Sequence, residues 1–231
     1  MMNLGYIESE KSARSIFSSR TDKGVSALQN VWAVSLNREP VLGQINAELE
    51  NIWLYGLAEV PERFNPHRHV MKKWYRYVFP CRFERKDIER MRKAAELMVG
   101  EHDFKSFSIP EGKNTVRTVD DIAIFNLDMT VMDVFARGFL RQQVRRMAYA
   151  LFMVGEGAWG IGEVRRRLDV YDPVPPMPAE GLVLVRTYTD VCFHVDDEQL
   201  RNMLSEWEER RVSAKVRAEV LGTHRWFSFI P

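Results

Sequence analysis

The segment Ser19-Arg20-Thr21-Asp22-Lys23-Gly24-Val25 sets one carboxylate between a cation two residues before it and another one residue after it. Neighbouring positive charge and the donors of a tight loop favour the charged form of a carboxylate. Such a group, held in place, serves as a nucleophile or a base. The same residues also suit a plainer role, in which Asp22 hydrogen-bonds its own turn ahead of Gly24. A second segment, residues 63–77, carries Arg63, Arg68, Lys72, Lys73 and Arg76 with His67 and His69, and contains no acid. Trp74, Tyr75 and Tyr77 are interleaved with these cations. Cations answer phosphates and aromatic faces stack on unpaired bases, so the mixture suits RNA better than a duplex groove. An edge strand with a solvated basic face would read the same way. A third segment, residues 134–155, is also free of acids and holds Arg137, Arg141, Arg145 and Arg146. Arg145 follows Val144 of an apolar helical stripe, where it can reach inward. A buried arginine needs an internal acid, and Asp22 is a candidate.

Other motifs fail on context. Gly155-Glu156-Gly157-Ala158-Trp159-Gly160 has dinucleotide-loop spacing but follows a helix, and Glu156 would face a phosphate. His67-x-His69 has no third metal ligand at a recognised spacing. Asp120 and Asp121 are strand neighbours that point to opposite faces, a poor acid dyad. Composition narrows the classes further. Thirteen Phe, eleven Met, seven Tyr and six Trp in 231 residues require burial, which excludes disorder as the main state. No run is long and apolar enough for a membrane helix, and residues 1–11 contain no apolar stretch of the secretory kind. Cys81 and Cys192 stand far apart, so neither a disulfide framework nor a zinc ribbon is expected, and a cytoplasmic setting is. The 33 basic and 32 acidic residues nearly cancel, so nucleic-acid binding would rest on clusters rather than on net charge.

The elements that must position these groups alternate between strand and helix. Residues 15–18 read as a short extended run leading into the Asp22 loop. Residues 31–36 and 74–79 read as strands, the second stopped by Pro80. Spacing predicts helices over 43–55, 84–99 (Ile88, Met91, Ala95 and Met98 on one stripe, Gly100 as cap), 140–154, 162–168 and 196–211. Residues 119–127 and 130–136 suggest a hairpin turning near Asp128. Residues 182–189 and 191–195 are further strands, and the aromatic tail 223–231 is expected to dock on the body. The texture changes after Pro80, which suggests an amino-terminal half over 1–82 and a carboxy-terminal half over 83–231.

Taken in order, Arg20-Thr21-Asp22-Lys23-Gly24-Val25-Ser26-Ala27, Tyr75-Arg76-Tyr77, Gly100-Glu101-His102-Asp103-Phe104 and Phe139-Leu140-x-x-x-Val144-Arg145 resemble the tRNA pseudouridine synthase A family. Glu180-Gly181-Leu182-x-Leu184 is similar to that family too, and Ser19 and Ser26 look archaeal or eukaryotic rather than bacterial. The resemblance implies an α+β fold: two halves around a shared mixed, largely antiparallel sheet flanked by helices, with a basic central cleft. It implies isomerisation of uridine to pseudouridine at positions 38, 39 and 40 of the tRNA anticodon stem-loop, no metal or organic cofactor, and a homodimer. Asp22 matches the family's catalytic aspartate, Tyr75 the tyrosine against the target base, and Arg145 the basic partner of the aspartate. Arg20 goes with them as a substrate contact. Arg68, Lys72, Lys73, Arg76, Arg137, Arg141 and Arg146 are the candidate RNA contacts. His67 stands where the family usually has arginine, Tyr149 where glycine is common, and the family's first strand, loop and helix would precede the recorded start. The competing reading is an impaired tRNA-binding protein of the same fold. A carboxylate glycosidase or nuclease would need a second well-placed acid or metal ligands.

Overall fold

The computed structural model describes residues 2–9, 11–112 and 114–223, with side-chain surroundings as far as residue 214. The chain begins with β1 (Ile16–Phe17), β2 (Ser26–Ala27), β3 (Trp32–Ala33), α1 (Leu42–Asn46), β4 (Gly56–Leu57), α2 (Pro66–His69) and β5 (Val70–Val78). It continues with α3 (Arg85–Glu96), β6 (Gly100–Asp103), β7 (Val116–Val119), β8 (Asp121–Asn126), β9 (Thr130–Ala136), α4 (Gln143–Gly155) and α5 (Ile161–Asp169). A 3-10 turn at Ala179–Gly181 leads into β10 (Leu182–Thr189), β11 (His194–Val195) and α6 (Asp197–Thr223). Residues 224–231 of the aromatic tail lie outside the described residues.

Two compact units form: a larger one from residues 16–33 and 65–190, and a smaller one from the described residues up to 15, 34–64 and 191 onward. The boundary expected at 82/83 falls inside the larger unit, because β5 before it pairs with β9 and β10 after it. The larger unit holds a five-stranded sheet in the order β2-β10-β5-β9-β8. Only the β2–β10 pair is parallel, so the sheet is mixed and largely antiparallel, and the class is α+β.

Strand alternation in β5 sends Tyr75 and Tyr77 into the core and leaves Trp74 and Arg76 half-exposed on the other face. Opposite them on β9, Val134 and Met132 are buried. The helical stripes close over this face. Ile88, Met91 and Ala95 of α3 and Val144, Met147, Leu151 and Val154 of α4 are all buried in one cluster with the tyrosines. Each such aliphatic or thioether side chain contributes roughly 1.5–3 kcal/mol by leaving water, which makes α4 a firm platform for whatever its first turn carries. The β8–β9 hairpin turns through residues 127–129, with the Leu127 N–H donating to the Met129 carbonyl.

In the smaller unit, the helix expected over 43–55 stops after five residues. Asn46 ends it: its side chain accepts from the Leu54 N–H and donates to the Leu54 carbonyl, at 2.8 and 2.9 Å. Asn51, at φ +61, turns the chain between them. An asparagine that satisfies backbone groups outside the helix competes with the helix itself. The strand expected over 31–36 is only β3, paired with β1 and followed by irregular chain. Conversely, α6 runs twelve residues past its expected end at 211, since no glycine or proline interrupts it before Gly222.

Candidate active site

β1 and β3 pair antiparallel, with Phe17 stacked on Trp32 at 5.6 Å, and the segment between them carries Asp22. The base of this loop is sewn into the interior. The Ser18 N–H donates to the Val31 carbonyl, and the Ser18 hydroxyl donates to Asn30 Oδ1, both at 2.8 Å. Asn30 Nδ2 donates to the Ser19 carbonyl, and Lys73 Nζ donates to the Ser18 carbonyl, again at 2.8 Å. Beyond Asp22 the chain turns, with the Val25 N–H donating to the Asp22 carbonyl at 3.1 Å. Gly24 adopts φ +92, a conformation that side chains resist. A Cβ there would come within 2.9 Å of Glu180 Oε1 and 3.1 Å of Ala179 Cβ. The loop then becomes β2 and adds to the sheet edge, Ser26 opposite Val183 and Ala27 opposite Leu184.

Arg145 meets Asp22 from the first turn of α4. Its Nη1 lies 3.0 Å from Asp22 Oδ2, with the arginine side chain 13% exposed and the aspartate 33%. The arginine is fixed from behind as well. Its Nε donates to the Met177 carbonyl at 2.7 Å, and the Met177 N–H donates to the Arg145 carbonyl at 3.1 Å. Tyr75 completes the group. Its ring packs edge-on against Phe139 at 5.4 Å. Burial pushes its phenol above the ordinary range, the Ser19 hydroxyl draws it back, and the charge of Asp22 raises it again. At neutral pH the ring therefore stands as a neutral phenol beside a carboxylate. Below it, burial pushes the Tyr77 phenol up to about 12, opposed by the charge of Arg145 and supported by that of Glu180. Tyr77 donates to the Pro178 carbonyl at 3.2 Å and so braces the segment that grips Arg145.

The other cations separate into two groups. Arg20, Arg68 and Arg137 are exposed, and among the described residues no carboxylate pairs with them. The remaining candidate RNA contacts are engaged. Arg76 makes a two-pronged pair with Asp133, Nε–Oδ1 2.8 Å and Nη2–Oδ2 2.7 Å, and Asp133 is buried. Arg141 pairs with Glu111 at 3.0 Å, and Lys72 lies 3.7 Å from Asp120 Oδ2. Arg146 turns inward to the Val174 carbonyl and to Gln142 Oε1. Lys73 is bound to Ser18, and burial pushes its ammonium down to about 8. Arg76, Lys72 and Arg141, drawn from segments free of acids, thus pair with acids from elsewhere in the chain. Two positioning groups, Asn30 and Met177, had no signal beyond an asparagine before a β-branched run and a proline-rich stretch after α5. Among the described residues no group of three or more His, Cys, Asp or Glu side chains is arranged to hold a metal ion.

Asp22 and Arg145, 3.0 Å apart, with the charge of Asp22 felt at the buried Tyr75, form the candidate site. Sequence comparison points the same way. The profile of a family described as tRNA pseudouridine synthase matches residues 94–202. The tRNA pseudouridine synthase A of Pyrococcus abyssi is 35% identical, over 92% of this chain and 81% of its own. That of Pyrobaculum aerophilum is 42% identical over 79% and 72%, and that of Methanosarcina mazei 37% identical over 96% and 85%. The chain belongs to the tRNA pseudouridine synthase A family, a family of isomerases.

Proposed function

We propose that this protein isomerises uridine to pseudouridine at positions 38, 39 and/or 40 of the tRNA anticodon stem-loop, working in the cytoplasm as a homodimer. The observation that carries the reading is the Asp22–Arg145 pair beside Tyr75. In the reaction the N1–C1′ bond breaks, the uracil turns, C5 bonds to the same sugar carbon, and the proton lost from C5 is matched by one gained at N1. No oxidant or reductant is needed. Asp22 supplies the carboxylate that either attacks C1′ or takes a sugar proton. Arg145 offsets its charge and fixes its direction, and Tyr75 offers a flat neutral surface that keeps the detached base from leaving. A base in a stem must first leave its stack, at a cost of roughly a few kcal/mol, which contacts from Arg20, Arg68 and Arg137 to the backbone help to offset.

The test is pseudouridine mapping on an unmodified tRNA transcript incubated with the wild-type protein and with Asp22→Asn. Product confined to positions 38–40, and made by the wild type alone, is the expected result. Tight tRNA binding without product from the wild type would favour the binding-protein reading, and turnover by Asp22→Asn would remove Asp22 from its role.

A further inference from the structure

We propose that Lys73 is a positioning residue for the isomerisation: together with Asn30 it holds the peptides of Ser18 and Ser19 so that the loop delivers Asp22 to Arg145. The inference rests on the function proposed above and concerns that same site. It also takes Lys73 away from the RNA phosphates to which its sequence context assigned it.

Ser18 is fully buried and Ser19 nearly so, so their carbonyls cannot turn to water and need internal donors. Lys73 serves the first carbonyl and Asn30 the second, each at 2.8 Å. Asn30 is itself fixed, because its Oδ1 accepts from the Ser18 hydroxyl and the Val31 N–H. Two consecutive peptides are thereby gripped directly before Arg20 and Thr21, the two residues that lead to Asp22. Lys73 stands opposite Ala136 on β9 and Thr187 on β10, neighbours small enough to leave room for its stem to run along the sheet. On β5 it shares a face with Tyr75, two residues on. One strand therefore grips the base of the loop and presents the ring that faces its tip. An ammonium meant for phosphates would gain by standing in solvent, where counter-ions and RNA reach it. This one is withdrawn far enough for burial to lower its proton affinity, as described above.

The experiment compares wild type, Lys73→Met, Lys73→Arg and Asn30→Ala on an unmodified tRNA transcript. It measures the single-turnover rate at saturating tRNA, the tRNA Kd with its salt dependence, and amide hydrogen exchange over residues 18–25. Displacement of a catalytic group by about an ångström costs on the order of a hundredfold in rate. Lys73→Met should accordingly lose roughly tenfold to a hundredfold in rate. Its Kd and salt dependence should stay as in wild type, and exchange in 18–25 should quicken. Lys73→Arg, which keeps a charged donor, should recover most of the rate, and Asn30→Ala should repeat the pattern of Lys73→Met. The opposite pattern overturns the proposal: unchanged rate and exchange, weaker Kd, and a salt slope smaller by about one, the mark of a lost phosphate contact. If Lys73→Met does not fold, Asn30→Ala decides, and an unchanged rate and exchange in that variant overturn the clamp. Absence of product from the wild type would defeat the proposed function, while the exchange measurement would still judge the clamp.

Discussion

Replacing Arg145 by methionine keeps most of the stem that packs in the first turn of α4 and removes the guanidinium alone. Two bonds are lost, one to the Asp22 carboxylate at 3.0 Å and one to the Met177 carbonyl at 2.7 Å. Hydrogen bonds involving a charged group contribute about 1.5–3 kcal/mol each. Asp22 is one-third exposed, so water recovers part of its loss, and the lower end of that range applies to the ion pair. The sum is about 3 kcal/mol of stability, of which about half should appear as coupling in a double-mutant cycle with Asp22→Asn. Urea unfolding of the four proteins at neutral pH measures it. Turnover on tRNA should fall by more than stability does, at a rate of tenfold per roughly 1.4 kcal/mol of lost transition-state stabilisation. A stability loss under about 0.5 kcal/mol, the size typical of an uninvolved surface position, would refute the argument. With a change only in salt-dependent tRNA affinity, that result would make Arg145 a phosphate contact.

Two further outcomes follow from the charged groups on β5. Arg76→Met leaves the buried Asp133 carboxylate alone and should cost about 3–5 kcal/mol in urea unfolding, most of it regained in Arg76→Met with Asp133→Asn; a loss in tRNA affinity at unchanged stability would contradict the pairing. Lys73 loses its proton near pH 8 in the folded chain but near its ordinary 10.5 in the unfolded one. Between those values the unfolded state holds the extra proton, so this group's contribution to stability rises with pH, by at most about 1.4 kcal/mol per unit. The stability difference between wild type and Lys73→Met should move in favour of the wild type from about pH 7.5 to about 9.5, and a flat difference would deny the burial.

What could be read from sequence was what depends on neighbours along the chain. The stripes of α3 and α4 and the alternation of β5 are local patterns, and Ile88, Met91, Met147, Tyr75 and Tyr77 lie where those periods put them. The eight residues of β10, Leu182–Thr189, are those expected as a strand. Ordered motifs named the family because short segments around Asp22, Tyr75 and Arg145 keep their order. Charge was another matter. The absence of acids from residues 63–77 and 134–155 says nothing about Asp133, which β9 brings against Arg76, or about Glu111 beside Arg141. Sheet register and loop return decide which cations stay available, and neither is written locally. The truncation of the helix after Asn46 shows the same limit from another side, since Leu54 offers its peptide to a side chain eight residues earlier.

The parallel pairing of β2 with β10 sets an order of events during synthesis. Asp22 is made early, but Arg145 lies 123 residues further on, and the strand against which β2 rests comes later still, beginning at Leu182. The loop lacks its counter-charge until Arg145 is made and the partner of β2 until Leu182 is, and long-range pairings of this kind form only after their closing entropy can be met. A chain interrupted anywhere before β10 therefore carries the aspartate without the site. Translation itself separates possession of the candidate carboxylate from the pairings that hold it.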